Sequence, residues 1–221
     1  MSGQHESNPQ SDQAFYDRIA HAYDFIADAN EHTARERGEA ALNLQPGERV
    51  LEIGFGTGNS LIDLAKAVGD TGSVAGVDVS PKMRDVAAGK VAEAQLGTQV
   101  ELLVGDARKL PFPDDSFQAA FTSFTLELFE PDDIAKVLAE VKRVLEPGGR
   151  LGVVSMAVVP AGEQESTLER TYKWMHQHFP HIVDCHPIDV DTVLKEAGYS
   201  VAHSDRMDIW TMPVGIVVGT A

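Results

Sequence analysis

The chain has 221 residues, 43% hydrophobic and 24% charged, a composition typical of a globular protein. Its 34 acidic and 18 basic residues give a formal net charge of −16, which disfavours nucleic acid and anionic membrane faces as partners. A single cysteine excludes an intrachain disulfide, and no apolar run of about 18 residues predicts a membrane span. Residues 1–13 are polar and lack the apolar core of a secretory signal, so a cytoplasmic protein is expected.

Strands and helices are predicted to alternate along most of the chain. The predicted helices cover residues 31–44, 59–68, 81–96, 131–145, 163–179 and 188–198. The predicted strands cover 49–53, 73–77, 99–104, 117–123, 150–156, 200–210 and 214–219, and Thr211–Pro213 is a predicted turn. The alternation between residues 49 and 156 indicates a doubly wound α/β fold with a parallel sheet.

A glycine-rich turn separates the first predicted strand from the helix at Asn59–Val68. Its glycines are Gly54, Gly56 and Gly58. Alternate glycines let the backbone take φ > 0 and approach a ligand closely, and the helix start offers free N–H groups. The dinucleotide pattern G-x-G-x-x-G/A fails, because its last position is Asn59 or Leu61, depending on the starting glycine. An NAD-dependent oxidoreductase is therefore disfavoured, and a turn without any ligand is the simplest alternative.

The second predicted strand ends in an acidic residue. Asp78 lies 20 residues beyond Gly58. A carboxylate at the tip of this strand can accept hydrogen bonds from both hydroxyls of a ribose. The alternative is that Asp78 caps the helix that starts near Pro81.

Three sequence runs carry a resemblance to a known family. Glu52–Gly58, an acid followed by alternating glycines, resembles motif I of class I S-adenosylmethionine-dependent methyltransferases. Phe15–Asp24 and Leu110–Phe117 are similar to runs of the methyltransferases of ubiquinone and menaquinone biosynthesis. The resemblance is strong over residues 13–156 and looser beyond them. It implies a Rossmann-like, seven-stranded, mostly parallel sheet with helices on both faces, a final antiparallel strand beside the fifth, and S-adenosyl-L-methionine as cofactor.

The resemblance also implies a set of cofactor contacts. Glu52 suits an ammonium group or ordered water, Met83 packs on the adenine or fills the core, and Asp106 accepts from the adenine amine. The two tyrosines of the first run close over the cofactor or only pack their helix. The family's aspartate after Phe117 is Gln118 here, so position 118 is left out of the site. The full cofactor-binding set is Tyr16, Tyr23, Glu52, Gly54, Gly56, Gly58, Asp78, Val79, Met83, Gly105, Asp106, Ala107, Ser123 and Phe124.

The sequence also predicts how the chain is divided into segments. Residues 1–12 are expected to be a flexible tail, and residues 13–221 a single methyltransferase domain. Within it, residues 13–46 are a helical cap and residues 160–198 an insertion that covers the substrate.

The methyl acceptor is expected to be a small molecule, and a quinone-ring carbon is the first candidate for the methylated atom. Amines, thiols, phospholipid headgroups and a non-catalytic S-adenosylmethionine-binding protein are the alternatives. A carbon or hydroxyl acceptor needs a general base, for which Tyr172, His176 and Asp184 are the candidates. No metal is expected, because His176 and His178 are two residues apart and point to different faces of a helix. A monomer or homodimer is expected.

Overall fold

The computed structural model describes residues 31–158, 186–209 and 212–221, and Ala34–Ala221 belong to one unit. The helices are α1 (31–42), α2 (Asn59–Val68), α3 (Pro81–Glu93), α4 (Pro131–Val144) and α5 (Val190–Glu196). The strands are β1 (Arg49–Ile53), β2 (Ser73–Asp78), β3 (Val100–Val104), β4 (Phe117–Ser123), β5 (Leu145–Met156), β6 (Ser200–Ile209) and β7 (Met212–Thr220). The tail, most of the cap and most of the substrate-cover insertion lie outside the described residues, so the domain organisation stays a prediction.

The strands form one seven-stranded sheet in the order β3-β2-β1-β4-β5-β7-β6. Strands β1 to β5 pair in parallel, and β7 runs antiparallel between β5 and β6. This is the mostly parallel doubly wound sheet that was predicted, including the antiparallel strand beside the fifth. The order reverses between β1 and β4, because β2 and β3 extend from one side of β1 and the later strands from the other.

Helices pack on both faces of the sheet. Successive side chains of a strand point to opposite faces, so Leu51 and Ile53 of β1 pack in the cluster that includes α4 and α5. Val50 packs in the cluster of α1, α2 and α3. Glu52 alternates with Ile53, and this places its carboxyl group on the α1 and α2 face. The predicted apolar face of α4 is buried, at Ile134, Val137, Leu138, Val141 and Val144.

Several predicted boundaries differ from the observed ones for local reasons. Helix α3 ends at Glu93 rather than residue 96, shortly before Gln95, which has φ of 61°. Helix α5 begins at Val190, because Ile188 pairs with Ala157 in a β-bridge.

The last two differences concern strands. The predicted turn at Thr211–Pro213 is wrong for residues 212 and 213, which already belong to β7. Strand β5 starts at Leu145, earlier than the predicted residue 150, because Leu145 already pairs with Phe117 of β4.

Among the described helices, none has both the length and the apolar content that a membrane crossing requires.

Candidate functional site

The predicted site residues of the described chain collect at one edge of the sheet. Gly54 follows β1, Asp78 ends β2, Gly105 follows β3 and Ser123 ends β4. These four strands run in parallel, so their carboxyl ends lie at the same edge. The strand order reverses between β1 and β4, and open α/β sheets bind ligands at such a reversal.

The glycine turn after β1 leaves space at one of its three glycines. All three have positive φ: 69° at Gly54, 51° at Gly56 and 83° at Gly58. A Cβ added at Gly58 would lie 2.8 Å from the Cβ of Ala87, so this glycine lets α3 pack against the turn. A Cβ added at Gly56 would meet no described atom within 4 Å. Gly56 therefore exposes bare backbone to an open space at the carboxyl edge.

Asp78 is fixed by two backbone N–H groups. Gly56 N donates to Oδ2 at 2.9 Å, and Ser80 N donates to Oδ1 at 2.8 Å. The N-cap of α3 is Ser80, whose hydroxyl accepts from Met83 N at 3.3 Å, so the alternative of Asp78 as the cap is wrong. Each carboxylate oxygen has two acceptor sites, so Asp78 can still accept two hydrogen bonds from a ligand.

Glu52 is the buried acid of the site. It is 2% exposed, and its Oε2 atom has no hydrogen-bond partner among the described residues. Burial, and then the charge of Glu39 on α1, raise the pKa of the Glu52 carboxyl to about 8. Buried polar atoms without partners are rare, and a ligand that donates a hydrogen bond would satisfy this one.

Exposed apolar side chains flank Asp78. Val79 is 78% exposed and Met83 is 38% exposed, although both belong to large apolar residue types. Ala107, after β3, is buried. An apolar ring that packed on Val79 and Met83 would remove their surface from water, at roughly 25 cal/mol per Å². The core-filling alternative for Met83 does not match this exposure.

Asp106 forms hydrogen bonds with Arg108, a residue that is not in the predicted site. Its Oδ1 accepts from the backbone N of Arg108 at 2.9 Å, and its Oδ2 accepts from the Arg108 guanidinium at 2.8 Å. The same guanidinium donates to Asp133 of α4 at 2.5 Å. The hydrogen bond from the Arg108 side chain holds the pKa of Asp106 below its usual value. This pairing orients Asp106 and uses much of its capacity to accept hydrogen bonds.

The turn after β4 borders the site and lies next to the glycine turn. The Ser123 hydroxyl is buried and has no hydrogen-bond partner among the described residues. Phe124 has φ of 49°, and its N donates to Val154 O at 2.8 Å. The next side chain, Thr125, fills the space beside Gly54, where an added Cβ would lie 2.2 Å from the threonine methyl. Thr125 is not in the predicted cofactor set, because its role depends on a contact with a distant turn.

Gln118, the residue left out of the predicted site, lies away from this edge, and five predicted residues lie outside the described chain. Gln118 accepts from Arg49 N at 2.8 Å and pairs with Glu146, so it ties together the amino-terminal parts of β1, β4 and β5. The candidate residues outside the described chain are Tyr16, Tyr23, Tyr172, His176 and Asp184. The described residues contain no cluster of His, Cys, Asp and Glu side chains that could hold a metal ion.

A separate cavity of about 450 Å³ lies at the opposite end of the sheet. Its lining includes Arg49, Ser73, Val100 and Phe117, the first residues of β1 to β4. Ligands of open α/β sheets bind at the carboxyl ends of the strands, so this cavity is not the predicted site.

Comparisons with known proteins agree with the fold. A family described as a methyltransferase domain matches residues 50–149. A demethylmenaquinone methyltransferase of Lactobacillus johnsonii is 34% identical over 143 residues, which is 63% of this chain and 58% of the relative. A 2-phytyl-1,4-naphtoquinone methyltransferase of Synechococcus elongatus is 34% identical over 152 residues, 67% of this chain and 64% of the relative. The aligned region thus spans about three fifths of these curated relatives.

A solved structure extends the likeness over more of the chain. A SAM dependent methyltransferase from Aquifex aeolicus superposes with a TM-score of 0.62 at 28% identity, covering 84% of this chain and 88% of that one. The predicted resemblance to class I S-adenosylmethionine-dependent methyltransferases is confirmed, as is the Rossmann-like fold. The two curated relatives are named as quinone methyltransferases, and the solved structure as a SAM dependent methyltransferase.

Proposed function

We propose that this protein transfers a methyl group from S-adenosyl-L-methionine to a small acceptor, with a quinone-ring carbon as the first candidate. The observation that carries the proposal is the glycine turn, where open space at Gly56 adjoins the fixed carboxylate of Asp78. The two curated relatives are both quinone methyltransferases, and this supports the choice of acceptor.

The chemistry of the site fits the cofactor in three places. Asp78 would accept from the ribose hydroxyls, for which its oxygens keep acceptor sites. The Glu52 carboxyl would pair with the ammonium group of the methionine tail, which would satisfy its unpaired Oε2. Val79 and Met83 would pack on the adenine, where their exposed apolar surface needs a partner. Asp106 would contact the adenine amine from the turn after β3.

The protein's contribution to the reaction is orientation and a dry pocket. When bound, S-adenosyl-L-methionine would supply a sulfonium-activated methyl group, with S-adenosylhomocysteine as the leaving group. The turns after β1 and β4 would orient the cofactor at the carboxyl edge, where the acceptor would approach. Residues that cover the site would exclude water from it. An acceptor carbon or hydroxyl also loses a proton, and Tyr172, His176 and Asp184 remain the candidates to take it.

Calorimetric titration with S-adenosyl-L-methionine tests the cofactor site. Asp78→Asn keeps the shape of the side chain but removes one acceptor oxygen and the charge. We expect its affinity to fall roughly 10- to 100-fold, because hydrogen bonds to a charged group are worth about 1.5–3 kcal/mol. Asp85→Asn is the matched control, since Asp85 is 68% exposed on α3. Equal affinities in the two variants would refute the ribose role of Asp78.

Methyl-labelled cofactor then tests the reaction and the acceptor. Purified protein is incubated separately with a demethylated naphthoquinol, a benzoquinol, an amine, a thiol and a phospholipid headgroup. Label in a quinol, and little in the others, is the expected result. Transfer to an amine, thiol or headgroup would retain the methyltransferase and refute the quinone. Tight cofactor binding without transfer to any of them, or to a cell extract, would favour a non-catalytic binding protein.

A further inference from the structure

Glu52 has a carboxyl partner that none of the sequence motifs includes. Glu39 of α1, on the face of the sheet that carries α1 and α2, is the charged residue with the largest effect on the pKa of Glu52. Helix α1 comes close to the sheet because it has a glycine at the position before Glu39: a Cβ added at Gly38 would lie 2.3 Å from Val154 and 3.1 Å from Phe121. Phe121 is the register partner of Glu52 in the neighbouring strand. Gly38 thus brings this turn of α1 down onto the sheet beside Glu52.

The two carboxyl groups share one neutral neighbour. The hydroxyl of Ser60, a buried residue in the first turn of α2, lowers the pKa of both carboxyl groups. Each also keeps one buried oxygen, Oε1 of Glu39 and Oε2 of Glu52, without a hydrogen-bond partner among the described residues. Two carboxylates with so little compensation would repel each other and lose hydration on folding, so at least one of them holds a proton in the free protein.

The charged surroundings agree with this conclusion. The charged groups that act on the pair are Arg35 and Glu36 of α1, Asp63 of α2 and Asp78 of β2. Arg35 lowers both pKa values, but burial and the acidic neighbours outweigh it. Burial, followed by the charge of Asp63, raises the pKa of Glu39 to about 7, and that of Glu52 rises to about 8.

We propose that Glu39 and Glu52 share a proton in the free protein and release it to solvent when the ammonium group of the cofactor's methionine tail binds. The inference rests on the proposed function, because it needs the cofactor at this edge. An ammonium group donates hydrogen bonds and carries the charge that two ionised carboxylates require. Glu39 is then a positioning residue that sets the pH at which Glu52 can bind the cofactor.

The sign of the pH dependence follows from this exchange. At a pH below the pKa of the pair, binding must first remove a proton, so affinity rises with pH. For one proton the limit is about tenfold per pH unit. The useful window is about pH 6.0 to 7.5, because the amino group of the ligand itself loses its proton at about 7.7–8.0.

Isothermal titration with S-adenosylhomocysteine tests the proposal. Titrations in two buffers of different ionisation enthalpy give the number of protons released. At pH 6.5 we expect between one and two, because the pKa values of both carboxyl groups lie above that pH. Methylthioadenosine keeps the nucleoside and the sulfur but lacks the amino acid tail, so it should release none. Equal release with both ligands, or none with either, would overturn the proposal.

Two variants assign the proton to the pair. Glu39→Gln keeps the size of the side chain and removes its charge, so the pH at which affinity levels off should fall and the affinity at pH 6.5 should rise. Glu52→Gln should abolish proton release and weaken binding. Glu93→Gln, at an exposed position of α3, should behave like the wild type. A response in Glu93→Gln as large as in Glu39→Gln would assign the effect to net charge and overturn the proposal.

The test separates the two proposals. Failure to bind either adenosine ligand at millimolar concentration would refute the proposed function and this inference with it. Binding without proton release would refute the inference alone. The pair can also be tested without a ligand. Both pKa values are raised, so the folded state holds protons that the unfolded chain has lost. The contribution of the pair to the free energy of unfolding therefore falls as pH rises from about 4.5 to 8. Glu52→Gln should flatten that fall, and an unchanged slope would contradict the shared proton.

Discussion

Alanine substitutions at Gly56 and Gly58 should separate cofactor binding from stability. Both residues have positive φ, 51° and 83°, so alanine at either costs on the order of 1–2 kcal/mol of backbone strain. At Gly58 the new Cβ also lies 2.8 Å from the Cβ of Ala87 and 3.2 Å from its Cα. Neither atom belongs to a flexible side chain, so α2 or α3 must move. We expect the unfolding free energy of Gly58→Ala to fall by about 2–5 kcal/mol in total.

Gly56→Ala should lose more cofactor affinity and less stability than Gly58→Ala. Its Cβ meets no described atom within 4 Å, so only the backbone strain reduces stability. In the proposed site the same Cβ would overlap the cofactor, and overpacking of about 1–3 kcal/mol corresponds to a loss of affinity of roughly 5- to 150-fold.

Urea unfolding and calorimetric titration of the two variants measure both effects. The expected pattern is weak binding with modest destabilisation in Gly56→Ala, and a larger loss of stability in Gly58→Ala. Wild-type affinity in Gly56→Ala would show that the open space does not face the cofactor, and the reasoning about this turn would be wrong. A Gly58→Ala variant no less stable than Gly56→Ala would refute the close packing of α3 on the turn.

Two further predictions concern the residues that support the site. In Gly38→Ala the added methyl overlaps the Val154 and Phe121 side chains, so α1 must move from the sheet. Despite the better helix propensity of alanine, worth about 1 kcal/mol, urea unfolding should show a net loss of stability. In Arg108→Gln the carboxylate of Asp106 loses its charged partner, and its pKa should rise toward the usual value. NMR titration of the carboxyl group measures this, and an unchanged pKa would show that other groups set the value.

The strands and helices of the parallel half could be predicted because their signals are local. Helix α2 and strand β4 have their predicted bounds, Asn59–Val68 and Phe117–Ser123. Glycines precede α2 and end it, and β4 carries the apolar run Ala119–Phe121 between Gln118 and Thr122. The predicted turn at Thr211–Pro213 was misplaced because proline usually breaks a strand, whereas Pro213 lies within β7.

Only part of the carboxyl edge could be predicted from the sequence. The position of Asp78 beside the glycine turn follows from its spacing, because the end of β2 and the glycine turn meet in any sheet of this order, and its contact with a ribose stays a prediction. The contacts of Arg108 could not be predicted, since its partner Asp133 lies on α4, far along the chain from the turn after β3. Thr125 is similar, as its contact with Gly54 depends on the pairing of β1 with β4.

Glu39 shows most clearly why such residues escape detection. It closes the run Arg35–Glu39, in which every residue but Gly38 is charged, and such a run is normally a solvated helix face. The buried stripe of α1 is Ala34, Gly38 and Leu42, at intervals of four residues. Glu39 lies beside that stripe, and the absence of a side chain at Gly38 lets the helix approach the sheet until the Glu39 carboxyl is near Glu52. A glycine inside a charged helix is therefore informative, because close packing at that point is what its missing Cβ permits.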